Sequence, residues 1–456
     1  YLIRASRVET VNSNWKPSFN DLYWMRRLWV GFLAVVSTGV NAHSVSTGQL
    51  ANLLPEPEVA ILDISDHMYN GEFDQAELEL QSLVDELPDF RLAHLLYSEL
   101  MKVRSGLGPV FNDWSSPTNS ELFSLIDEIR RRHAHKEEAT AHEDGKIPSL
   151  LLQVSGSQRQ VIVVDSELSR AHLYSNAGKG MELVGDYYVT VGKNGLLKRL
   201  KDDGRTPLGV YFITSQLDGT GLKDLYGDGA LPLNYPNEWD QRLGRSGYGI
   251  WLHGVPSDTY NRAPFSTEGC VAFPNEDIVA LLNTPDIENT PVIITDRIEW
   301  VDPSVPERLF SELSEQIELW RKLKISGKLE KLSRLYADAF SSGRLDKNDW
   351  LTIVKDDRSS AGQNDFSLSD LSAFRYPGTP NLVVVSFNKT YLGTNSFNQD
   401  RIRQYWYEVS PKSWRIVYEG SARYQPVHFK GIPNSILPVL AEELMQGQSG
   451  SGKQER

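Results

Sequence analysis

Trp251-Leu252-His253-Gly254, followed after an insert by Ser266-Thr267-Glu268-Gly269-Cys270-Val271, decides how this chain is read. Cys270 is the one cysteine among 456 residues, so it cannot close an intramolecular disulfide. The spacing allows a strand that ends at His253, an excursion, and a tight turn at Gly269 that returns the thiol to the imidazole. A Cys–His pair is the minimal activated nucleophile, in which the thiolate attacks while the imidazole takes and later returns the proton.

These residues resemble the L,D-transpeptidase family of peptidoglycan enzymes, whose signature is His-Gly, a variable insert, then Ser/Thr-x-Gly-Cys and an apolar residue. Two upstream blocks resemble the same family in the same order: Gly185-Asp186-Tyr187-Tyr188-Val189-Thr190-Val191-Gly192, and Asp203-Gly204-Arg205-Thr206-Pro207-Leu208-Gly209-Val210-Tyr211. The resemblance covers residues 148–298 and implies a mostly β catalytic domain acting on peptidoglycan stem peptides. It also implies that Cys270 is the nucleophile, His253 the base, and Gly254 the third catalytic member through its main-chain carbonyl. Main-chain N–H groups around Gly269 and Cys270 would form the oxyanion hole. In the insert, Tyr260 and Arg262 are candidate substrate-binding residues, together with Thr267 and Gly269, since an arginine beside the nucleophile can clamp a carboxylate.

The match departs from the common pattern at Glu268, where many members carry His, and at Val271-Ala272-Phe273, where many carry Arg or Asn. An acidic residue before Gly-Cys resembles a proteobacterial subgroup of mixed activity. Some of its members cross-link stems, some remove a terminal D-alanine, and some hydrolyse a lipoprotein–murein bond. The acceptor, amine or water, therefore stays open. A non-catalytic cell-wall binding protein that keeps the fold is the rival reading, and retention of both His253 and Cys270 argues against it.

The length calls for two or three folded units. A net charge of −13 without a clustered basic patch excludes nucleic acid as the partner. Arg26-Arg27, the apolar run Leu28–Val36 and small residues up to Ala42 resemble an export signal, with a retained membrane anchor as the rival. Met25 reads as a natural initiator and residues 1–24 as a non-native prefix. The expected place of action is the periplasm.

From 56 to 140 the apolar spacing is helical, and Gly71-Glu72-Phe73-Asp74-Gln75-Ala76-Glu77 with Pro88 resembles one tetratricopeptide unit. Arg130-Arg131-Arg132-His133-Ala134-His135 with His142, Glu143 and Asp144 reads as a polar linker, and neither a metal nor a cofactor is expected. Short β-branched runs from Leu150 to Ile213 predict strands. The aromatic-rich segment 215–249, with Tyr226, Tyr235, Trp239 and Tyr248, suits a substrate cover.

Helices followed by long strands near 329–445 resemble the cone-shaped α+β fold of nuclear transport factor two-like domains. That unit is expected to bind a cell-wall partner or to form a homodimer. Residues 446–456 are polar enough to stay disordered. The expected fold class is thus multidomain: a helical N-terminal region, a mostly β catalytic domain and an α+β C-terminal domain.

Overall fold

Ile61, Ile64, Ala76, Leu80, Leu83, Leu92, Leu96 and Leu100 recur at helical spacing because they line the inner faces of three helices, where almost no solvent reaches them. The helices are α1 (Glu56–Asn70), α2 (Phe73–Glu86) and α3 (Arg91–Arg104). The computed structural model describes residues 56–107, 120–138, 145–176, 180–361, 365–392 and 399–422. The export segment 1–42, the residues His142, Glu143 and Asp144, the stretch 423–445 and the tail 446–456 lie outside the described residues. Among the described residues, no helix is long and apolar enough to cross a membrane.

The expected polar linker at Arg130–His135 is instead the last half of a fourth helix, α4 (Ser120–Glu138). Arg132 and His135 are buried there. Their polar atoms are satisfied in the interior: Arg132 meets Glu58 from α1 and, at 2.7 Å, Glu128 one turn back on its own helix, while His135 Nε2 lies 2.6 Å from Asp186. Sequence spacing alone made this run look solvated.

The central unit begins with β1 (Ile147–Pro148), β2 (Leu151–Gln153), β3 (Gln160–Asp165), β4 (Arg170–Asn176), β5 (Met181–Tyr188), β6 (Val191–Gly192) and β7 (Gly209–Phe212). It continues with β8 (Leu217–Asp218), β9 (Gly229–Pro232), the helix α5 (Glu238–Arg242), β10 (Trp251–His253), β11 (Phe265–Thr267), β12 (Val271–Ala272), the helix α6 (Asn275–Leu282), β13 (Pro291–Thr295) and β14 (Trp300–Val301). One sheet has the order β5-β4-β3-β13-β7 and a second the order β12-β10-β9-β8. Alternation along β3 divides its side chains between two cores. Ile162 and Val164 enter the unit's own core with Leu252, Val271 and Phe273, whereas Val161 and Val163 face the terminal unit.

That terminal unit comprises α7 (Ser304–Ser326), α8 (Leu329–Ser333), β15 (Tyr336–Ser342), β16 (Leu345–Asp346), α9 (Lys347–Ala361), β17 (Phe366–Arg375), β18 (Leu382–Tyr391), β19 (Gln399–Ser410) and β20 (Ser413–Ser421). Its seven-stranded sheet has the order β16-β15-β20-β19-β18-β17-β2. The expected strand at Leu150–Val154 therefore extends the terminal sheet, with Gln153 opposite Ala373. Helix α7 fills the terminal core with Leu313, Ile317 and Trp320.

Period-two alternation on β18 again serves two faces. Val383, Val385 and Phe387 meet the helices, while Leu382 and Val384 meet the central sheet. This second face, a natural candidate for the expected dimer or partner contact, is already spent within the chain.

Candidate active site

His253 ends β10, and Gly254 leaves the strand through a turn that a side chain could not enter. A Cβ on Gly254 would collide with the Asn275 amide oxygen. That amide ties the turn down, accepting from the N–H groups of Val255 (3.0 Å) and Asp228 (3.2 Å) and donating to the Val255 carbonyl (2.9 Å). His253 is 3% exposed, and its Nδ1 lies 2.6 Å from the Gly254 carbonyl oxygen. A carbonyl can only accept, so Nδ1 carries the hydrogen and Nε2 keeps its lone pair.

Cys270 lies one residue before β12. That strand runs parallel to β10, with Val271 opposite Leu252 and Ala272 opposite His253. Continuing the register places Cys270 beside Trp251, on the sheet face that Trp251 and His253 share, because side chains two residues apart on a strand point the same way. The Sγ donates to the Gly249 carbonyl at 3.3 Å. Gly269 has φ +127°, and a Cβ there would stand 2.6 Å from the Arg205 carbonyl oxygen, so the turn before the thiol requires glycine.

Electrostatics leave this pair neutral at rest. Burial pushes the Cys270 thiol up to about 11, outweighing the Trp251 N–H, Lys198 and Arg262, which all favour the thiolate. Burial likewise lowers His253 to about 4, against the Gly254 carbonyl, while Arg262 adds to the lowering. An uncharged imidazole with a free Nε2 can accept the thiol proton as the sulfur reacts.

The four expected substrate contacts separate. Arg262 remains beside the thiol, with its Nη2 2.9 Å from the Ser266 carbonyl and its charge felt by both Cys270 and Glu268. Thr267 is buried inside the turn, where its hydroxyl donates to the Cys270 carbonyl (2.7 Å) and accepts from the Gly269 N–H (3.1 Å). Thr267 therefore braces the turn, and the Gly269 N–H, expected as an oxyanion donor, is already committed. Tyr260 turns away from the site and packs on Phe90 at 4.6 Å between ring centroids, in the core of the N-terminal helices.

Glu268 is exposed and pairs with Lys193 at 2.6 Å. Of the aromatic segment, Tyr226 reaches the site, its ring edge-on to His253 at 5.2 Å. Tyr248 is exposed, while Tyr235 and Trp239 are core residues. Sequence reasoning missed Asn275 and Lys198. Asn275 follows Cys270 closely enough to have been found, but nothing local marks Lys198, whose place depends on its 2.7 Å bond to Asp203.

His135, His172 and Asp186 form the one group among the described residues whose donor atoms approach as a metal site would, all within 4.8 Å of one another. Asp186 already accepts from Arg170 Nε at 2.8 Å, and Arg170, His135 and His172 together hold its carboxyl well below the usual range although burial alone would raise it. A dication there would face the Arg170 guanidinium, so the trio fits an ion network better than a metal.

Comparison with known proteins agrees with this architecture. Residues 159–294 match YkuD, the L,D-transpeptidase catalytic domain, and residues 312–420 match the Cds6 C-terminal NTF2-like domain. The chain thus carries an L,D-transpeptidase catalytic domain followed by an NTF2-like domain. That family acts on peptidoglycan peptides.

Among solved structures, Bd1075 from Bdellovibrio bacteriovorus is 26% identical with a TM-score of 0.52, covering 62% of this chain and 100% of its own. Pgp2 from Campylobacter jejuni, described as a helical cell shape determining protein, is 19% identical with a TM-score of 0.49, covering 59% of this chain and 96% of its own. No curated protein matches.

Proposed function

We propose that this protein is an exported cysteine enzyme of peptidoglycan remodelling that acylates Cys270 with a stem peptide at an L,D bond and transfers the acyl group to an amine. The observation that carries the reading is the His253 ring, pinned through Nδ1–H to the Gly254 carbonyl at the end of β10, beside the parallel strand β12 that Cys270 directly precedes. The thiol proton passes to Nε2 as the sulfur adds to the carbonyl of the L-residue. The bond to the D-residue nitrogen then breaks, that nitrogen takes the proton from the imidazolium, and a thioester remains. An amine acceptor attacks the thioester, gives its proton to His253, and regenerates the thiol.

Arg262 supplies a positive charge for the carboxylate of the stem or of the departing D-residue. Water in place of the amine yields a shortened stem from the same thioester, the hydrolytic alternative. Arg26-Arg27 and the apolar run before Ala42 support action in the periplasm.

Purified disaccharide-tetrapeptide, incubated with the protein from His43 onward with and without an amine acceptor, tests the proposal by product mass. A cross-linked dimer identifies transfer, and free D-alanine with a tripeptide and no dimer identifies hydrolysis. Turnover that persists in Cys270→Ala would sink both readings, and absence of turnover by the intact protein favours the binding-protein rival.

A further inference from the structure

The insert between His253 and Cys270 does not stand free in solvent. Three of its residues dock on the N-terminal helices: Tyr260 on Phe90, Asn261 with its Nδ2 2.6 Å from Glu128 Oε1, and Phe265 with its ring 4.7 Å under the Arg131 guanidinium. The Asn261–Glu128 bond is buried, both residues being under 5% exposed. Behind it, Arg132 donates to the same Glu128 oxygen at 2.7 Å and lies over the Tyr188 ring at 4.0 Å, and the Tyr188 hydroxyl donates to the Arg262 carbonyl at 3.0 Å. The residue between these anchors, Arg262, is the cation of the insert whose charge reaches the thiol, alongside Lys198 from the central unit.

We infer that Glu128 and Asn261 are positioning residues of the active site, through which helix α4 holds the 260–265 segment so that the Arg262 guanidinium stays beside Cys270. The helical region is then a working part of the catalytic centre. The inference rests on the proposed role of Cys270 as nucleophile.

Its physical basis is the difference between a charged side chain on a free loop and one on a clamped loop. The excursion 254–264 is tied to the central unit at its far end, where the Val191 N–H donates to the Pro264 carbonyl at 2.9 Å, but without the helices its 260–262 part would let the guanidinium wander through bulk water, where its field at the sulfur is screened. A buried hydrogen bond to a carboxyl on one side and a packed aromatic on the other remove that freedom. The helices thus supply no reacting atom, and their contribution lies in where one charge is kept.

The test reads that charge at the thiol without any turnover. Rates of Cys270 alkylation by iodoacetate, an anion, and by iodoacetamide, its neutral analogue, are compared in the whole chain. A cation beside the sulfur favours the anion, so Arg262→Gln should lower the iodoacetate-to-iodoacetamide ratio by about fivefold. Asn261→Ala and Glu128→Leu should lower it by at least about threefold while the iodoacetamide rate stays within about twofold of wild type. Glu128→Gln, which keeps the acceptor oxygen, should restore the wild-type ratio.

A ratio that falls in Arg262→Gln but is unchanged in folded Asn261→Ala overturns the inference. An unchanged ratio in Arg262→Gln overturns it as well, because no charge then needs holding. Should Glu128→Leu fail to fold, Asn261→Ala alone decides, since its side chain lies on the loop. Failure of the enzyme reading is recognised separately, by turnover in Cys270→Ala, and leaves these alkylation ratios untouched.

Discussion

The Trp239 ring of the central unit lies over the Tyr405 ring of the terminal sheet, with centroids 6.1 Å apart and planes within 17° of parallel. Around this pair, Glu238 accepts from the Tyr405 hydroxyl at 3.0 Å and from Arg403 at 2.9 Å, and Asn237 donates to the Tyr376 hydroxyl at 2.9 Å. The two units share one apolar layer, in which Val161, Val163, Val210 and Ile293 meet Phe374, Leu382, Val384 and Val417.

Each side chain of that layer is worth about 1.5–3 kcal/mol buried, and a domain is stable by only about 5–15 kcal/mol in total. A chain ending near Ser326 is therefore expected to aggregate instead of folding, and Trp239→Ala to cost about 3–5 kcal/mol. Denaturant unfolding followed by fluorescence should show the central and terminal units melting in one transition. Two well-separated transitions would contradict the shared layer.

Neutral resting groups at the site give a distinct reactivity. Iodoacetamide modification of Cys270 should keep rising past pH 9 toward an inflection near 11, with no plateau at neutral pH. His253 carries no charge above about pH 4, so His253→Ala should change that rate at pH 7 by less than about threefold. The same substitution should cut turnover by about 10²–10⁴-fold, because proton transfer during attack is lost. A rate plateau below pH 7 in the wild type would indicate a thiolate–imidazolium pair instead.

Asn275 holds the turn that aims the Gly254 carbonyl. Asn275→Ala leaves the Val255 N–H without its acceptor, at a cost of about 1–3 kcal/mol, and turns the exposed Asp228 N–H over to water. Thermal melting should register that loss, and turnover should drop further as the imidazole loses its fixed tautomer. Asn275→Asp retains the acceptor oxygen but sets its second oxygen against the Val255 carbonyl, so it should recover part of the stability. If Asn275→Asp is no better than Asn275→Ala, the acceptor role is wrong.

Burial pushes the Glu128 carboxyl from 4.5 up to about 8, with Asn261 opposing the shift. A carboxyl whose folded pKa is raised favours the folded state fully below its unfolded value, and that advantage is lost as pH rises through about 8. Glu128→Gln is neutral throughout, so its melting temperature should gain on wild type between pH 5 and pH 9. A difference that stays constant across the range would mean that Glu128 remains charged in the folded protein.

His253-Gly254 and Gly269-Cys270 were legible in the sequence because each is a short pattern, a strand that ends at the imidazole and a glycine turn before the thiol, although what excludes a Cβ there, Asn275 and the Arg205 carbonyl, comes from distant segments. The strands of the terminal unit were legible for a similar reason, since the near-continuous apolar and β-branched run Leu382–Phe387, buried along its length, is written into neighbouring residues. Tertiary structure alone decided that Tyr260 belongs to the helical core, that Leu151–Gln153 joins the terminal sheet, and that Arg132 and His135 are buried. It also decided the protonation states at the active site, because desolvation depends on what packs around a group and not on its neighbours in sequence. A buried charge is tolerable only beside partners such as Glu58 and Asp186, and a strand only beside another strand. Both kinds of partner come from distant segments, which no local pattern can specify.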